Sequence, residues 1–331
     1  MWMRQIKHTI ISWDCSFRNF FHLIDAMATQ DYDPEQYEII YIEQRDRATS
    51  DDYNHRFGLK SLYDRYKEMN PDIQIRVDYL DMPSNVPYHL GLCVNKGLDR
   101  ARGEWISVMD GDMLLPPTFL HALDAYHETG AGVVNIFRRM CNQPVGVPLD
   151  EWTKGVIDYE QCLSASGGGD IAIPESTDNK GPLISAHRDA WAAVNGYDTH
   201  PIWSTGLSRL GQDVTARLEM FCNVTSTTLP GNIAVHPYHP MGFSRLTLDS
   251  VRILAIQADL IEWAKKYRKI SWRDRSAVTD TVFRRKQAFI KRLHEGDKTN
   301  TIRNRVGQSV KLGLIYGFTR RILKRLKGRL T

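Results

Sequence analysis

The sequence predicts an α/β protein built on a mostly parallel sheet flanked by helices, with a helical extension at its C-terminal end. Strand and helix patterns alternate from Lys7 to Thr118, the order that yields parallel strands joined by covering helices. An apolar run, Trp105 to Met109, stops at Asp110-Gly111-Asp112, and Pro116-Pro117 bars the strand from continuing. From Leu248 the pattern is helical and increasingly charged, and Thr301–Thr331 carries nine Lys or Arg and no Asp or Glu.

Taken in order, Lys7–Trp13 reads as the first strand. Ser16–Gln30 sets Phe17, Phe20, Phe21, Leu23, Ile24 and Met27 at helical spacing, and Asp31-Tyr32-Asp33-Pro34 breaks that helix. Tyr37–Glu43 is a second buried strand, Phe57–Met69 a helix closed by Asn70-Pro71, and Ile73–Tyr79 a third strand. Gly91–Arg100 is a helix with Leu92, Val94 and Leu98 on one face, and another helix starts near Pro116-Pro117-Thr118. Residues 129–182 are less regular, with a strand at Val133–Arg138 and a flexible loop at Ser164–Asp170. The glycines of that loop are not followed by Lys-Ser or Lys-Thr, so the phosphate-loop pattern is absent. Leu183–His187 reads as a strand and Arg188–Asn195 as a helix with Gly196 at its C-cap. Gly211–Cys222 is a helix with Val214, Leu218 and Phe221 on one face, and Val224–Leu229 and Ile233–His236 return to strand character.

The 331 residues are 42% apolar and 25% charged, the balance of a folded soluble protein rather than a disordered one. No run approaches the roughly 18–20 apolar residues of a spanning helix. The N-terminus lacks the apolar core and cleavage site of a signal peptide. The five cysteines lie far apart with no Cys-x-x-Cys pair, which argues against a zinc site or disulfide framework and for a reducing cytoplasm. Apart from the basic tail, no basic stripe interleaved with aromatics marks a nucleic-acid surface.

In open α/β sheets, ligands bind beyond the carboxyl ends of the strands. Trp13 and Asp14 close the first strand, Glu43 the second, and Asp110 and Asp112 the fourth, while Asp213 opens a helix. Two carboxylates this close repel unless a cation lies beside them, and Gly111 leaves room for close approach to the backbone. The pattern points to a divalent metal carrying a phosphate-bearing substrate.

Several stretches together carry a resemblance. They are Thr9-Ile10-Ile11-Ser12, then Glu38-Ile39-Ile40-Tyr41-Ile42-Glu43, then Asn95-Lys96-Gly97-Leu98-Asp99-Arg100-Ala101-Arg102-Gly103-Glu104-Trp105-Ile106 running into Asp110-Gly111-Asp112. Arg188–Asp198 and Gly211-Gln212-Asp213-Val214-Thr215-Ala216-Arg217-Leu218 follow. In order and spacing, over about residues 8–240, the chain resembles the family 2 glycosyltransferases of the GT-A type, which have a Rossmann-like fold. It departs from them at two places: Ile42-Glu43-Gln44 stands for an aliphatic-Asp-Asp, and Gln212-Asp213 for Glu-Asp.

The resemblance implies an inverting enzyme that moves a sugar from a nucleotide-diphosphate donor, with a UDP-sugar favoured, to a hydroxyl of a glycan or lipid-linked acceptor. Donor contacts would fall to Ser12, Trp13, Asp14, Glu43, Arg45, Asn95, Asp110 and Gly111, with Glu43 on the base and Asp110 on the ribose side. Asp112 would ligate Mn2+ or Mg2+, joined by His236 or, as the alternate, His239. Asp213 would be the general base. Trp203 and Gln212 would meet the acceptor. The expected organisation is a GT-A domain over 1–245, with a nucleotide-binding half to about 115 and an acceptor half beyond it, then a basic helical extension over 246–331. The competing expectation is a non-catalytic scaffold or sugar-binding relative, suggested by Gln212 in place of an acid.

In the tail, Leu312, Ile315, Phe318, Ile322, Leu326 and Leu330 fall near one helical stripe, with Lys and Arg on the other side. Residues 311–330 thus have the pattern of an interfacial helix on an anionic membrane, which would hold a cytoplasmic enzyme at the inner face.

Overall fold

Strands β1 (His8–Asp14), β2 (Tyr37–Arg45), β3 (Gln74–Asp81), β4 (Trp105–Met109), β5 (Val133–Met140), β6 (Leu183–His187) and β7 (Thr227–His236) form one sheet in the computed structural model. Their order across it is β3-β2-β1-β4-β6-β5-β7. The structure describes residues 6–14, 21–45, 67–68, 71–81, 89–111, 113–130, 132–140, 159–165, 183–200, 203, 209–236, 257 and 261. The chain divides into two units, Met1–Ser276 and Ala277–Thr331, and every described residue belongs to the first. The tail pattern over 311–330 lies outside the described residues, as does the expected helix at 57–69 apart from helical Lys67 and Glu68.

β1, β2, β3 and β4 run parallel, β6 is antiparallel to both of its neighbours, and β5 and β7 run parallel to each other. Buried on both faces, the inner strands need apolar residues at successive positions rather than alternate ones. Ile39, Ile40, Tyr41 and Ile42 are accordingly all buried. Helices α1 (Phe21–Ala28), α2 (Leu90–Leu98), α3 (Phe119–Glu128), α4 (Tyr159–Ala165), α5 (Arg188–Ala193) and α6 (Leu210–Cys222) complete the layers. Leu23 and Met27 of α1, Phe119 and Leu123 of α3, and Ile10, Ile39 and Met109 of the sheet share one apolar core.

The amino edge of the sheet is locked by Glu38. Its buried carboxylate accepts from Thr9 Oγ1 at 2.8 Å, from Arg102 N at 2.7 Å and Nε at 2.8 Å, and from Arg76 at 2.7 Å. Gly103 sits where a Cβ would come within 2.4 Å of the Thr9 nitrogen, so only glycine lets β4 enter beside β1. At the same edge Asp124 of α3 meets His8, Lys7 and Tyr32, each at 2.8 Å. Burial opposes ionisation of Asp124, but those three partners outweigh it and hold its carboxyl well below the usual carboxylate range.

The structure differs from the expected elements in several places; β2, for one, runs past Glu43 to Arg45. The predicted strands at 224–229 and 233–236 are one strand, β7, which absorbs Gly231 at φ 69° with a register shift opposite Asn135–Phe137. Phe221 is 51% exposed, so it leaves the apolar face of α6 that Val214 and Leu218 form. Residues 159–165, read as irregular, form α4, and the predicted loop at 164–170 begins inside that helix. The helix from Arg188 stops at Ala193, with Asn195 and Gly196 both left-handed at φ 57° and 59°.

Candidate active site

Parallel pairing brings the strand ends to one edge. The register sets Asp14 opposite Glu43, and Ile11 of β1 pairs with Val108, two residues before Asp110. Ser12 and Trp13 are buried just inside that edge, and Glu43 is only 1% exposed. The backbones of Asp14 and Arg45 end their strands there. Asp110 follows β4 directly, and Gly111 is buried behind it. Asp112 and His239 lie outside the described residues.

The Asp110 carboxylate faces a cation. Its Oδ2 accepts from the Arg138 guanidinium of β5 at 3.3 Å, across a gap of 28 residues in sequence. Beyond Asp112, Leu114 returns to the sheet in an antiparallel bridge with Val235, with backbone bonds of 2.8 and 2.9 Å. Val235 precedes His236, which ends β7 opposite Met140 and is 7% exposed. The chain that leaves Asp110 and Gly111 and the end of β7 at His236 are thus tied to the same corner. Carboxylate oxygens and an imidazole suit Mn2+ better than Mg2+. Among the described residues, no group of three His, Cys, Asp or Glu side chains is placed to hold a metal.

Asp213 is the fourth residue of α6, 1% exposed, and its Oδ2 accepts from Arg217 Nε at 3.1 Å. The Arg217 guanidinium is 2% exposed and also donates to the carbonyls of Val194 and Gly196, each at 2.6 Å. Burial pushes the Arg217 pKa down to about 10, against the favourable charges of Asp198 and Tyr197. Nearby, Tyr197 is stacked on Trp191 with ring centres 5.9 Å apart. Burial drives the Tyr197 hydroxyl far above its ordinary pKa; the Asp110 charge adds to the shift and Arg217 opposes it. Tyr197 therefore feels both halves of the site.

Other expected contacts have local partners. Asn95 of α2 uses both ends of its amide on Tyr197, accepting from its N–H and donating to its carbonyl at 2.8 Å each. Gln212 accepts from Arg209 at 3.2 Å. Trp203 is among the largest fully buried side chains, with its indole N–H lacking a partner among the described residues, so a packed rather than a solvent-facing ring stands at that position. Sequence reasoning missed Arg138, Arg217 and Tyr197. Arg217 carried a readable signal, since Asp213 and Arg217 are spaced as an ion pair on one helix face. Arg138 carried none, because its partner is distant in sequence.

Residues 23–153 match the family model described as Glycosyl transferase family 2. Among solved structures, S. aureus TarS 1-349 in complex with UDP-GlcNAc is 15% identical, covering 86% of this chain and 73% of that one, with a TM-score of 0.53. The mannosyltransferase PcManGT from Pyrobaculum calidifontis, in complex with GDP-Man and Mn2+, is 16% identical over 80% of this chain and 65% of its own, with a TM-score of 0.49. In a further structure of S. aureus TarS, the chain spans 43% of the length. No curated protein matches the sequence. Fold and matched segment define the class: the chain is a glycosyltransferase with a GT-A fold. The segment similar to family 2, residues 23–153, runs from α1 through β4 and the Asp-Gly-Asp stretch to β5.

Proposed function

We propose that the protein transfers a sugar from a nucleotide-diphosphate donor, with a UDP-sugar favoured, to a hydroxyl of a glycan or lipid-linked acceptor, with inversion at the anomeric carbon. The observation that carries this reading is the convergence of one corner. The Leu114–Val235 bridge ties the segment after Asp110-Gly111-Asp112 to the residue before His236. Glu43 and the end of β1 stand along the same edge. UDP-GlcNAc in the TarS complex supports the donor class.

Glu43 would accept from the base, while Ser12, Trp13, Asp14, Arg45, Asp110 and Gly111 would line the rest of the donor. A divalent metal would be held by Asp112 and His236, with His239 as the alternate, and when bound it supplies Lewis-acid charge to the leaving diphosphate. The acceptor oxygen attacks the anomeric carbon as the bond from that carbon to the phosphate oxygen breaks. Asp213 takes the acceptor proton. In the resting arrangement its carboxylate is held by Arg217.

That buried pair, with Gln212 bonded to Arg209, also supports a second reading: a sugar-nucleotide-binding scaffold without turnover. One experiment separates the two. UDP and GDP release from a panel of nucleotide-sugars with Mn2+ is measured for the wild type and Asp213→Asn. Release that depends on Asp213 supports the transferase, and binding without release supports the scaffold.

A cytoplasmic enzyme held at an anionic membrane through 311–330 completes the proposal. Equal vesicle binding by intact and tail-deleted protein would remove that part.

A further inference from the structure

We propose that Arg138 is a phosphate-binding residue of the donor site, held by Asp110 until a nucleoside diphosphate arrives. This rests on the functional reading above and extends it to a side chain that the acidic motif does not contain.

Arg138 follows Val134 and Ile136 along one face of β5, at the position paired with Ala234. Those two apolar residues belong to the core, and the guanidinium extends their row toward the strand ends. It is 23% exposed, so one side of it is open. One terminal nitrogen meets Asp110 at 3.3 Å, a long contact for a charge-assisted bond. Its Nε is buried and has no partner among the described residues. A guanidinium presents a rigid fork of donors suited to two oxygens at once, and this one is left with unused donors.

The surroundings say what would complete it. The edge carries Asp110, Glu43 and the end of β1 at Asp14. A nucleoside diphosphate brings oxygens that match the fork, and as its bond to the sugar breaks the charge on the diphosphate grows. A cation already held beside that group stabilises it without having to be gathered from solvent. Asp110 and the phosphate then compete for the same guanidinium.

The competition gives a test with a sign. UDP and GDP binding is measured by titration calorimetry, with Mn2+ and with EDTA, for the wild type, Arg138→Ala, Arg138→Lys and Asp110→Asn. Arg138→Ala weakens binding in both conditions by about 10-fold or more, the worth of a charge-assisted hydrogen bond, and Arg138→Lys falls between it and the wild type. Asp110→Asn tightens metal-free binding by about two- to fivefold, because the guanidinium loses its competitor while the asparagine oxygen still accepts from the ribose. A merely structural ion pair would weaken both variants alike. If the wild type binds a nucleotide and Arg138→Ala binds it equally well, the assignment of Arg138 is wrong. Weaker metal-free binding by Asp110→Asn overturns it as well, even if Arg138→Ala fails to fold. A wild type that binds neither nucleotide under either condition overturns the functional reading itself.

Discussion

Leu114 and Val235 exchange backbone hydrogen bonds of 2.8 and 2.9 Å, N–H to carbonyl in each direction. An antiparallel bridge of this kind sets the preceding residue of one segment against the following residue of the other. Met113 and His236 are the next residues on either side of that bridge, and the chain leaving Asp110 and Gly111 returns beside the end of β7.

The first prediction concerns His236. If it is a metal ligand, His236→Ala raises the Mn2+ concentration for half-maximal UDP release by at least about 10-fold, the lower range even for residues that only support a ligand. Saturating Mn2+ restores much of the rate. An unchanged Mn2+ requirement would move the role to another residue, and the same titration on His239→Ala would identify it.

Asp213 and Arg217 supply the second. Both side chains are almost wholly buried, so removing either leaves an uncompensated group and costs about 3–5 kcal/mol of stability. A general base contributes about 10²- to 10⁴-fold to rate as well. Asp213→Asn should lose that factor in kcat with little change in donor KM. Arg217→Lys should keep part of the rate while its melting temperature falls. Should Asp213→Asn melt earlier yet turn over at the wild-type rate, the pair is structural and the base lies elsewhere.

The framework prediction is Gly103→Ala. The added methyl would stand 2.4 Å from the Thr9 nitrogen and 2.7 Å from the His8 carbonyl carbon, both backbone atoms that cannot turn aside. Overpacking of this kind costs about 1–3 kcal/mol. It also disturbs the 2.7 Å bond from Gly103 N to Thr9 Oγ1 and hence the Glu38 lock. Denaturant titration should show the loss, and a variant as stable as the wild type would show that β4 can shift away from β1 at no cost.

What was legible in the sequence follows the range of the forces involved. β4 and β6 run over the residues expected, because a short apolar run between charges or prolines is a local signal. β7 was split because Pro230-Gly231 reads as a turn, whereas the ladder to β5 carries the strand through it. Asp110 was legible as a strand-end acid for the same local reason, whereas Glu43, expected at the end of β2, lies two residues inside a strand that runs to Arg45. The Asp110–Arg138 and Asn95–Tyr197 contacts were not legible, since only the assembled sheet brings β4 to β5, or α2 to the turn after α5. Burial was equally hidden: nothing in the spacing around Trp203 distinguishes a packed indole from one that stacks on a sugar.

The last prediction is a pH effect at the start of α2. His89 caps that helix through Nδ1, which accepts from Gly91 N at 3.1 Å, while Nε2 lies 3.2 Å from the His200 carbonyl. The ring must be neutral to do both, because protonation places a hydrogen on the accepting nitrogen. Burial lowers the His89 pKa, and the His200 carbonyl and the Asp198 charge oppose that shift only in part. A folded pKa below the unfolded value of about 6.5 means the cap contributes fully above that pH and is lost as pH falls through the lower folded value. The loss is worth about 0.5–2 kcal/mol, the usual range for an N-cap. His89→Asn supplies a cap that does not titrate, so its denaturation midpoint should change less than that of the wild type between pH 7.5 and pH 5. Parallel slopes in the two proteins would mean that His89 stays neutral over that range or that its cap adds nothing. The site has a stake in the outcome, because α2 carries Asn95, and Asn95 holds the backbone of Tyr197, whose hydroxyl feels the charges of both Asp110 and Arg217.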